Sequence, residues 1–450
     1  MAGFFGLSIN PKYAGNFLRD LFLGTFYQQH LGEEYCGLST CNQGRFRIRT
    51  SRGLFRPAFF QNLEGLEGTE GIGYCGPDEE PFLVDSRLGQ FSACFSGNII
   101  NCSELVSKFK SSGHLFSRSE GQDDIEVITK LVVQGKGFID GICGMAQEIK
   151  GAYSLLLLTT EGVYAVRSPD GHWPLVIAEK EGTTAAAFDS GGFRNMGFKS
   201  IHELEPGEII LMKDGCWRTV AKMTTAAIQF CSFCWVYTLF PSAVFQQIPS
   251  SVIRKRLGAA LARRDIENGF IPDIVAPVPD SGRFHAIGYI QEFWQQMNAG
   301  KITKAPLYDE LLLKYPYAGR SFTQQSAEGR EKEARMKLLG SAEDYYGKSV
   351  VINEDSIVRG TQIGADAVPK LRSLGIAEVH LRVSNPELRS YCPWGKTTKK
   401  GEMLAPQKPL PRERADFLGV DSLEYNSIKD LVAAIGFPKT MLCLDCDITS

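Results

Sequence analysis

The string Lys348-Ser-Val-Val-Ile-Asn-Glu-Asp-Ser-Ile-Val-Arg-Gly-Thr361 constrains this chain more than any other stretch. It opens with a short apolar run, Ser349 to Ile352, of the length and β-branched content of a buried strand. The run ends in an acidic pair, Glu354-Asp355, followed by the small-residue turn Ser356-Ile-Val-Arg-Gly-Thr361. In Gln362 to Leu374 the residues Ile363, Ala367, Leu371 and Leu374 fall at helical spacing, with Pro369 placed to kink the helix or cut its first turns short. A strand, an acid pair, a turn and a helix in this order make a place to hold a sugar phosphate. Turn amides and a helix N-terminus direct partial positive charge at a phosphate. Two carboxylates just past the strand can take ribose hydroxyls or a hard divalent cation. A Glu-Asp pair alone is more often an ordinary solvated pair; only the whole string points to phosphate.

Bulk properties narrow the setting. A chain of 450 residues has room for two or three domains, each with its own core. A formal net charge of −2 and the lack of basic runs argue against a nucleic-acid partner. No apolar segment reaches bilayer length, and Met1-Ala-Gly-Phe-Phe-Gly-Leu7 lacks the basic start of a signal peptide, so a cytoplasmic protein is expected. Twelve cysteines then need a reason other than disulfides. Cys36, Cys41, Cys75, Cys94, Cys102, Cys143 and Cys216 lie singly in apolar or glycine-rich surroundings and read as small core residues. The other five, including Cys443-Leu-Asp-Cys446, are grouped differently.

The 348–361 string resembles the phosphoribosyl pyrophosphate (PRPP) loop of type I phosphoribosyltransferases. Its Asp-Ser-Ile-Val-Arg-Gly-Thr core is most similar to that of the amidophosphoribosyltransferase family, whose usual two aspartates are here Glu354 and Asp355. The resemblance implies an α+β N-terminal domain, an Ntn-hydrolase-like four-layer sandwich over residues 1–220, expected to be a class II glutamine amidotransferase-like domain. It implies an α/β type I phosphoribosyltransferase domain with a mainly parallel sheet over residues 221–450.

The N-terminal half reads as β-rich. Gly151 to Thr159 and Gly162 to Val166 look like a hairpin, Glu208 to Lys213 like a further strand, and Asp124 to Val132 like a helix. Ser96-Gly-Asn-Ile-Ile-Asn101 resembles the family's oxyanion-hole segment, which makes Gly97 and Asn98 its remnant. Asp123-Asp-Ile-Glu126 and Arg167-Ser-Pro-Asp-Gly-His-Trp-Pro-Leu175 resemble two further landmarks. Three positions depart from the family. Its nucleophile, an N-terminal cysteine activated by its own amine, is here Ala2, so removing Met1 would expose a methyl group. An arginine of His-Arg-Gly-Gln-Glu is Leu31, and the glutamine-binding Gly-His-x-Arg-Tyr-Ser-Thr becomes Gly73-Tyr-Cys-Gly-Pro77. Neither glycine nor proline can pair with a carboxylate as arginine does. An engineered trap would explain Ala2 but not the missing arginines, so the glutaminase is expected to be degenerate, with no residue able to act as nucleophile at position 2.

In the second half, Ile253 to Ile266 reads as a helix. Asp273-Ile-Val-Ala-Pro-Val-Pro-Asp-Ser-Gly-Arg283 reads as a strand ending in a polar turn, with a helix from Ala286 onward. The resemblance assigns Asp280, Ser281 and Gly282 to pyrophosphate, with Ser281 toward a metal. Lys314-Tyr-Pro-Tyr-Ala-Gly-Arg-Ser-Phe322 resembles the loop that covers PRPP. It keeps Lys314, Gly319, Arg320 and Phe322 but carries Pro316 in place of the first arginine. Arg330, Arg335 and Lys337 fit that loop or a solvated basic helix equally well. In the iron-sulfur branch of the family four cysteines hold a cluster, and Cys231, Cys392, Cys443 and Cys446 sit at those places, with Cys234 left over. Four thiolates suit a [4Fe-4S] cluster or tetrahedral zinc by chemistry alone; the resemblance favours the cluster. It would tie the C-terminal helix region, Leu423 to Phe437, to the domain junction.

The expectation is an amidophosphoribosyltransferase-like enzyme of purine synthesis. PRPP would be held by Asp280, Ser281, Gly282, Lys314, Arg320, Glu354, Asp355, Ser356, Val358, Arg359, Gly360 and Thr361, and Mg²⁺ by Ser281, Glu354 and Asp355. The acceptor would be ammonia or another amine, and the family suggests a homo-oligomer, tetramer or dimer. The alternative is a PRPP-sensing, non-catalytic paralogue that acts with an intact amidotransferase.

Overall fold

The computed structural model describes residues 1–118, 124–224, 227–316, 338–341, 343, 345–395, 398 and 400–448. Two compact units divide it. One comprises residues 1–231, 242–247 and 393–397, the other residues 232–241, 248–392 and 398–450.

The first unit is built on two antiparallel sheets. Seven strands run in the order Lys199–Glu203, Val176–Lys180, Thr183–Ala187, Gly3–Ile9, Glu70–Gly76, Tyr35–Asn42 and Arg45–Arg52. Six more run Cys216–Lys222, Glu208–Lys213, Gly162–Arg167, Gly151–Thr159, Phe91–Ile99 and Phe82–Val84. The sheets face each other closely: a Cβ on Gly6 would lie 3.1 Å from Leu156 Cδ1 and 3.3 Å from both Met212 Cε and Val163 Cγ1. On the outside of the larger sheet the Phe17–Phe26 helix seats Phe17 and Leu21 against Phe5, Leu7 and Leu38. The helices Asp124–Gln134 and Phe138–Glu148 do the same for the smaller sheet, through Ile128, Val132 and Ile142 against Leu155 and Leu157. Helix, sheet, sheet and helix make four layers, as expected. The Gly151–Thr159 and Gly162–Arg167 hairpin and the Asp124 helix match the sequence pattern.

The second unit carries a parallel five-stranded sheet in the order Leu307–Tyr308, Ile274–Pro277, Ser349–Glu354, Glu378–Val383 and Ser422–Tyr425. Burial on both faces explains the unbroken apolar run at its centre. Val350 and Ile352 enter a core with Leu371, Leu381 and Leu418. Val351, one residue out of phase, enters another formed with Leu261, Tyr289 and Phe293 of the helices Ser250–Glu267 and Arg283–Asn298.

The sequence pattern erred in two places. The second helix starts at Arg283 rather than Ala286. The Leu423 to Phe437 region opens as the Ser422–Tyr425 edge strand, and its helix is confined to Ile428–Ile435. That strand pairs with Glu378–Val383, a contact that a helical spacing of leucines cannot reveal. Pro369 lies in the first turn of Val368–Ser373, where its missing N–H costs nothing, and the preceding Ile363–Ala367 turn is of the wider π type.

Candidate functional site

Two motifs separated by dozens of residues meet at the C-terminal ends of neighbouring parallel strands. Ile274–Pro277 pairs with 350–353 of Ser349–Glu354, and Val278 N donates to Asn353 O at 2.9 Å. This pairing brings Ser281 Oγ within 3.1 Å of Glu354 Oε1. The bend between them demands a small residue, because a Cβ on Gly282 would lie 2.1 Å from Asn353 O and 2.7 Å from Val278 O. The Pro279–Asp280 peptide bond is cis.

Glu354 and Asp355 are both buried. The Asp355 N–H donates to Glu354 Oε1 at 3.0 Å, and Ser356 Oγ donates to Asp355 Oδ2 at 2.5 Å. Burial, and then the Asp355 carboxylate beside it, pushes Glu354 well above the usual carboxylate range. Glu354 therefore holds its proton to higher pH than an ordinary glutamate. A hard cation or a pair of sugar hydroxyls would remove that repulsion, so the two carboxylates and Ser281 fit a divalent metal by chemistry. Among the described residues no group of three or more His, Cys, Asp and Glu side chains is gathered as a metal site.

Beyond the acids, Ser356, Val358, Arg359 and Gly360 form the expected turn, with Thr361 opening the helical stretch. Gly360 has φ +78°, and a Cβ there would also meet Leu418 Cδ2 at 2.6 Å. The turn is latched from the far side: Leu404 N donates to Val358 O at 2.7 Å, and Arg359 pairs with Glu402 at 2.7 Å. Lys314 ends the Leu312–Lys314 strand with Nζ 2.7 Å from Asp280 Oδ2. Arg320 lies outside the described residues, as do Gly319, Phe322, Arg330, Arg335 and Lys337. Sequence reasoning passed over Arg283, although it directly follows Asp-Ser-Gly. Its guanidinium reaches Asp280 Oδ1 at 3.0 Å and grips Glu310 through Nε at 3.1 Å and Nη2 at 3.0 Å.

The first unit presents a closed site where the resemblance placed glutamine hydrolysis. Ala2 is buried, and its N–H donates to Ser96 Oγ at 3.0 Å. The cavity lined by Met1, Ala2, Tyr74, Pro77, Asp78, Phe95, Ser96 and Gly97 encloses about 10 Å³, room for about one water. Tyr74 fills the space that the glycine at 76 leaves: a Cβ on Gly76 would stand 2.1 Å from the Tyr74 hydroxyl and 2.6 Å from Ala2 Cβ. Leu31 leans on the strand start, with Cδ1 2.9 Å from where a Gly3 Cβ would be. Gly97 has φ +147°, and its missing side chain makes room for Ala152 O. Asn98 Nδ2 is spent on Pro393 O at 2.6 Å. Asp123 lies outside the described residues; Asp124 opens its helix. Cys36 and Cys75 face each other in register between Tyr35–Asn42 and Glu70–Gly76. Burial raises both thiols, Cys36 to about 11, which makes them poor nucleophiles.

Cys231 belongs to the first unit and Cys392, Cys443 and Cys446 to the second. Arg389 N and Ser390 N both donate to Cys446 O, at 2.8 and 3.2 Å, so the main chain leading to Cys392 runs beside Cys446.

A family profile described as a glutamine amidotransferase domain matches residues 76–191. The amidophosphoribosyltransferase of Methanocaldococcus jannaschii is 32% identical, over 99% of this chain and 96% of that protein. That of Methanothermobacter thermautotrophicus is 31% identical over 99% of this chain and 93% of its own length. The structure of glutamine PRPP amidotransferase from Bacillus subtilis, complexed with ADP and GMP, superposes with a TM-score of 0.85 at 28% identity. The match covers 99% of this chain and 96% of that one.

Proposed function

The chain belongs to the amidophosphoribosyltransferase family, and on that basis we propose that it binds PRPP and transfers the phosphoribosyl group to ammonia or another amine. We propose further that it has lost glutamine hydrolysis. The observation that carries the first part is the meeting of Ser281 with Glu354 at the ends of two adjacent parallel strands. It joins the Asp280–Gly282 bend and the Ser356–Thr361 turn into one site, open at the strand ends where α/β sheets bind ligands. The second part is supported by Ala2 and by the 10 Å³ cavity around it.

In this reading the amides of the turn hold the 5-phosphate. Glu354 and Asp355 orient the ribose, and Lys314 neutralises charge on the leaving pyrophosphate. The C1–O bond to pyrophosphate breaks as the C1–N bond forms, and the nitrogen gives its proton to solvent. Water must be kept from C1, or the oxocarbenium-like centre is hydrolysed. Mg²⁺ bound at Ser281, Glu354 and Asp355 would supply further positive charge to the pyrophosphate oxygens. Cys231, Cys392, Cys443 and Cys446 would hold a structural [4Fe-4S] cluster, for which the terminal Cys-x-x-Cys and the pairing of 389–390 with Cys446 are the support. Protein purified without oxygen should then contain iron and sulfide; zinc, or no metal, in elemental analysis removes the cluster from the proposal.

A second reading, a PRPP-binding regulatory paralogue without turnover, is favoured by Pro316, which replaces an arginine of the covering loop. Pyrophosphate release from PRPP with Mg²⁺ and ammonia separates the two. Release that Asp355→Asn abolishes supports the enzyme. PRPP binding without release supports the paralogue, and no binding at all discards both.

A further inference from the structure

We infer that Arg283 is a pyrophosphate-binding residue, a second cation that acts beside Lys314 and replaces the arginine absent at position 316. The inference rests on the PRPP reading above and extends it to a residue to which that reading gave no role.

Pyrophosphate carries several negative charges within a few ångströms, so its site calls for several cations at close range. Lys314-Tyr-Pro316 offers only one basic side chain where the family offers two. The structure brings the missing charge from elsewhere. Arg283, the first residue of the Arg283–Asn298 helix, stands 3.0 Å from Asp280 Oδ1, while Lys314 stands 2.7 Å from Oδ2 of the same carboxylate. Two cations from different elements thus converge on one small planar anion. An oxygen edge of pyrophosphate in place of this carboxylate would meet both cations.

Glu310 makes this arrangement rigid. It binds Nε and Nη2 of the guanidinium in a two-pronged contact and leaves Nη1 turned toward Asp280. A ligand need only displace Asp280 from Lys314 and from one face of Arg283; the Glu310 grip is untouched. All four side chains are accessible: Arg283 is 39%, Asp280 49%, Lys314 38% and Glu310 34% exposed. An arginine that served only to pair with Asp280 within its own turn would need no second carboxylate to fix its plane.

The test is calorimetric binding of pyrophosphate, and separately of ribose 5-phosphate, in Mg²⁺ buffer to full-length protein, Arg283→Gln and Arg283→Lys. Loss of a charge-assisted contact should weaken pyrophosphate about tenfold to a hundredfold in Arg283→Gln. Ribose 5-phosphate should bind as before. Arg283→Lys should fall between, since it keeps the charge but not the fork. Equal pyrophosphate affinity in Arg283→Gln and the parent overturns the role of Arg283 and leaves the PRPP reading standing. Parallel loss of both ligands overturns it too, as a general disruption. A parent protein that binds neither ligand overturns the PRPP reading itself.

Discussion

If glutamine hydrolysis is lost as proposed, a cysteine at position 2 alone should not bring it back, because side chains crowd the space around Ala2. Ala2→Cys, with removal of Met1 verified by mass spectrometry, would place a thiol in a cavity lined by Tyr74, Phe95 and Ser96 that measures about 10 Å³ while Met1 completes its wall. That is room for about one water, and glutamine brings a carboxylate, an ammonium and a carboxamide. The carboxylate partner cannot simply be returned either. A Cβ on Gly76 would approach the Tyr74 hydroxyl to 2.1 Å, its Cζ to 2.3 Å and Ala2 Cβ to 2.6 Å, against an ordinary contact of 3.4–4 Å. Even Gly76→Ala should therefore cost about 1–3 kcal/mol, as overpacking of a close-packed interior does. For a domain of this size that is a fall in Tm of about 2–4 °C per kcal/mol. In a Tyr74→Ala background the ring is gone and only the 2.6 Å approach to Ala2 Cβ remains, so the same substitution should cost markedly less. A double-mutant cycle would report the difference as a coupling of about 1–3 kcal/mol. The assays are glutamate release from glutamine for Ala2→Cys, and thermal unfolding for the cycle. Glutamate release by Ala2→Cys alone would refute the closed site, and additive Tm changes would refute Tyr74 as the group that fills it.

Two further expectations come from the second unit. Glu354 has a folded-state pKa raised by burial and by Asp355, so its contribution to stability is complete below the unfolded glutamate value of about 4.3 and is lost as pH rises through the raised one. Glu354→Gln should flatten the decline of Tm with pH in ligand-free protein, gaining on the parent toward pH 8; parallel Tm curves would contradict the raised Glu354 pKa. Asp265 and Arg382 form a buried two-pronged pair at 2.7 and 2.9 Å, with Tyr289 donating its hydroxyl to Asp265 at 2.6 Å. Asp265→Asn should destabilise this unit by about 3–5 kcal/mol in urea unfolding, since it leaves a buried guanidinium without its counter-charge. A loss below about 1 kcal/mol, the value of a surface pair, would show that water reaches the pair.

The proposed phosphate site was legible because its signals are local. Ser349–Glu354 declares itself by an apolar run, its acids and glycine turn by residue type, and Ile363 to Leu371 by helical period. Ala2, Leu31 and Gly76-Pro77 were likewise readable one position at a time, so the expectation of a silent glutaminase needed no coordinates. What fills the vacated space did need them. Tyr74 lies two residues from Gly76 in sequence, and nothing in that spacing says that its hydroxyl turns back to cover it. The Ser422–Tyr425 strand was hidden for a related reason: its hydrogen bonds go to Glu378–Val383, and four residues are too few for a period of two to stand out. Arg283 and Glu310 are unremarkable in the sequence, as surface charges usually are. They acquire meaning only where the fold sets Asp280 between Lys314 and Arg283. Residue type and periodicity thus determined which chemistry the chain can offer. Long-range pairing decided which side chains share a site, because a contact between distant residues depends on the path of the whole backbone and leaves no trace in the local pattern.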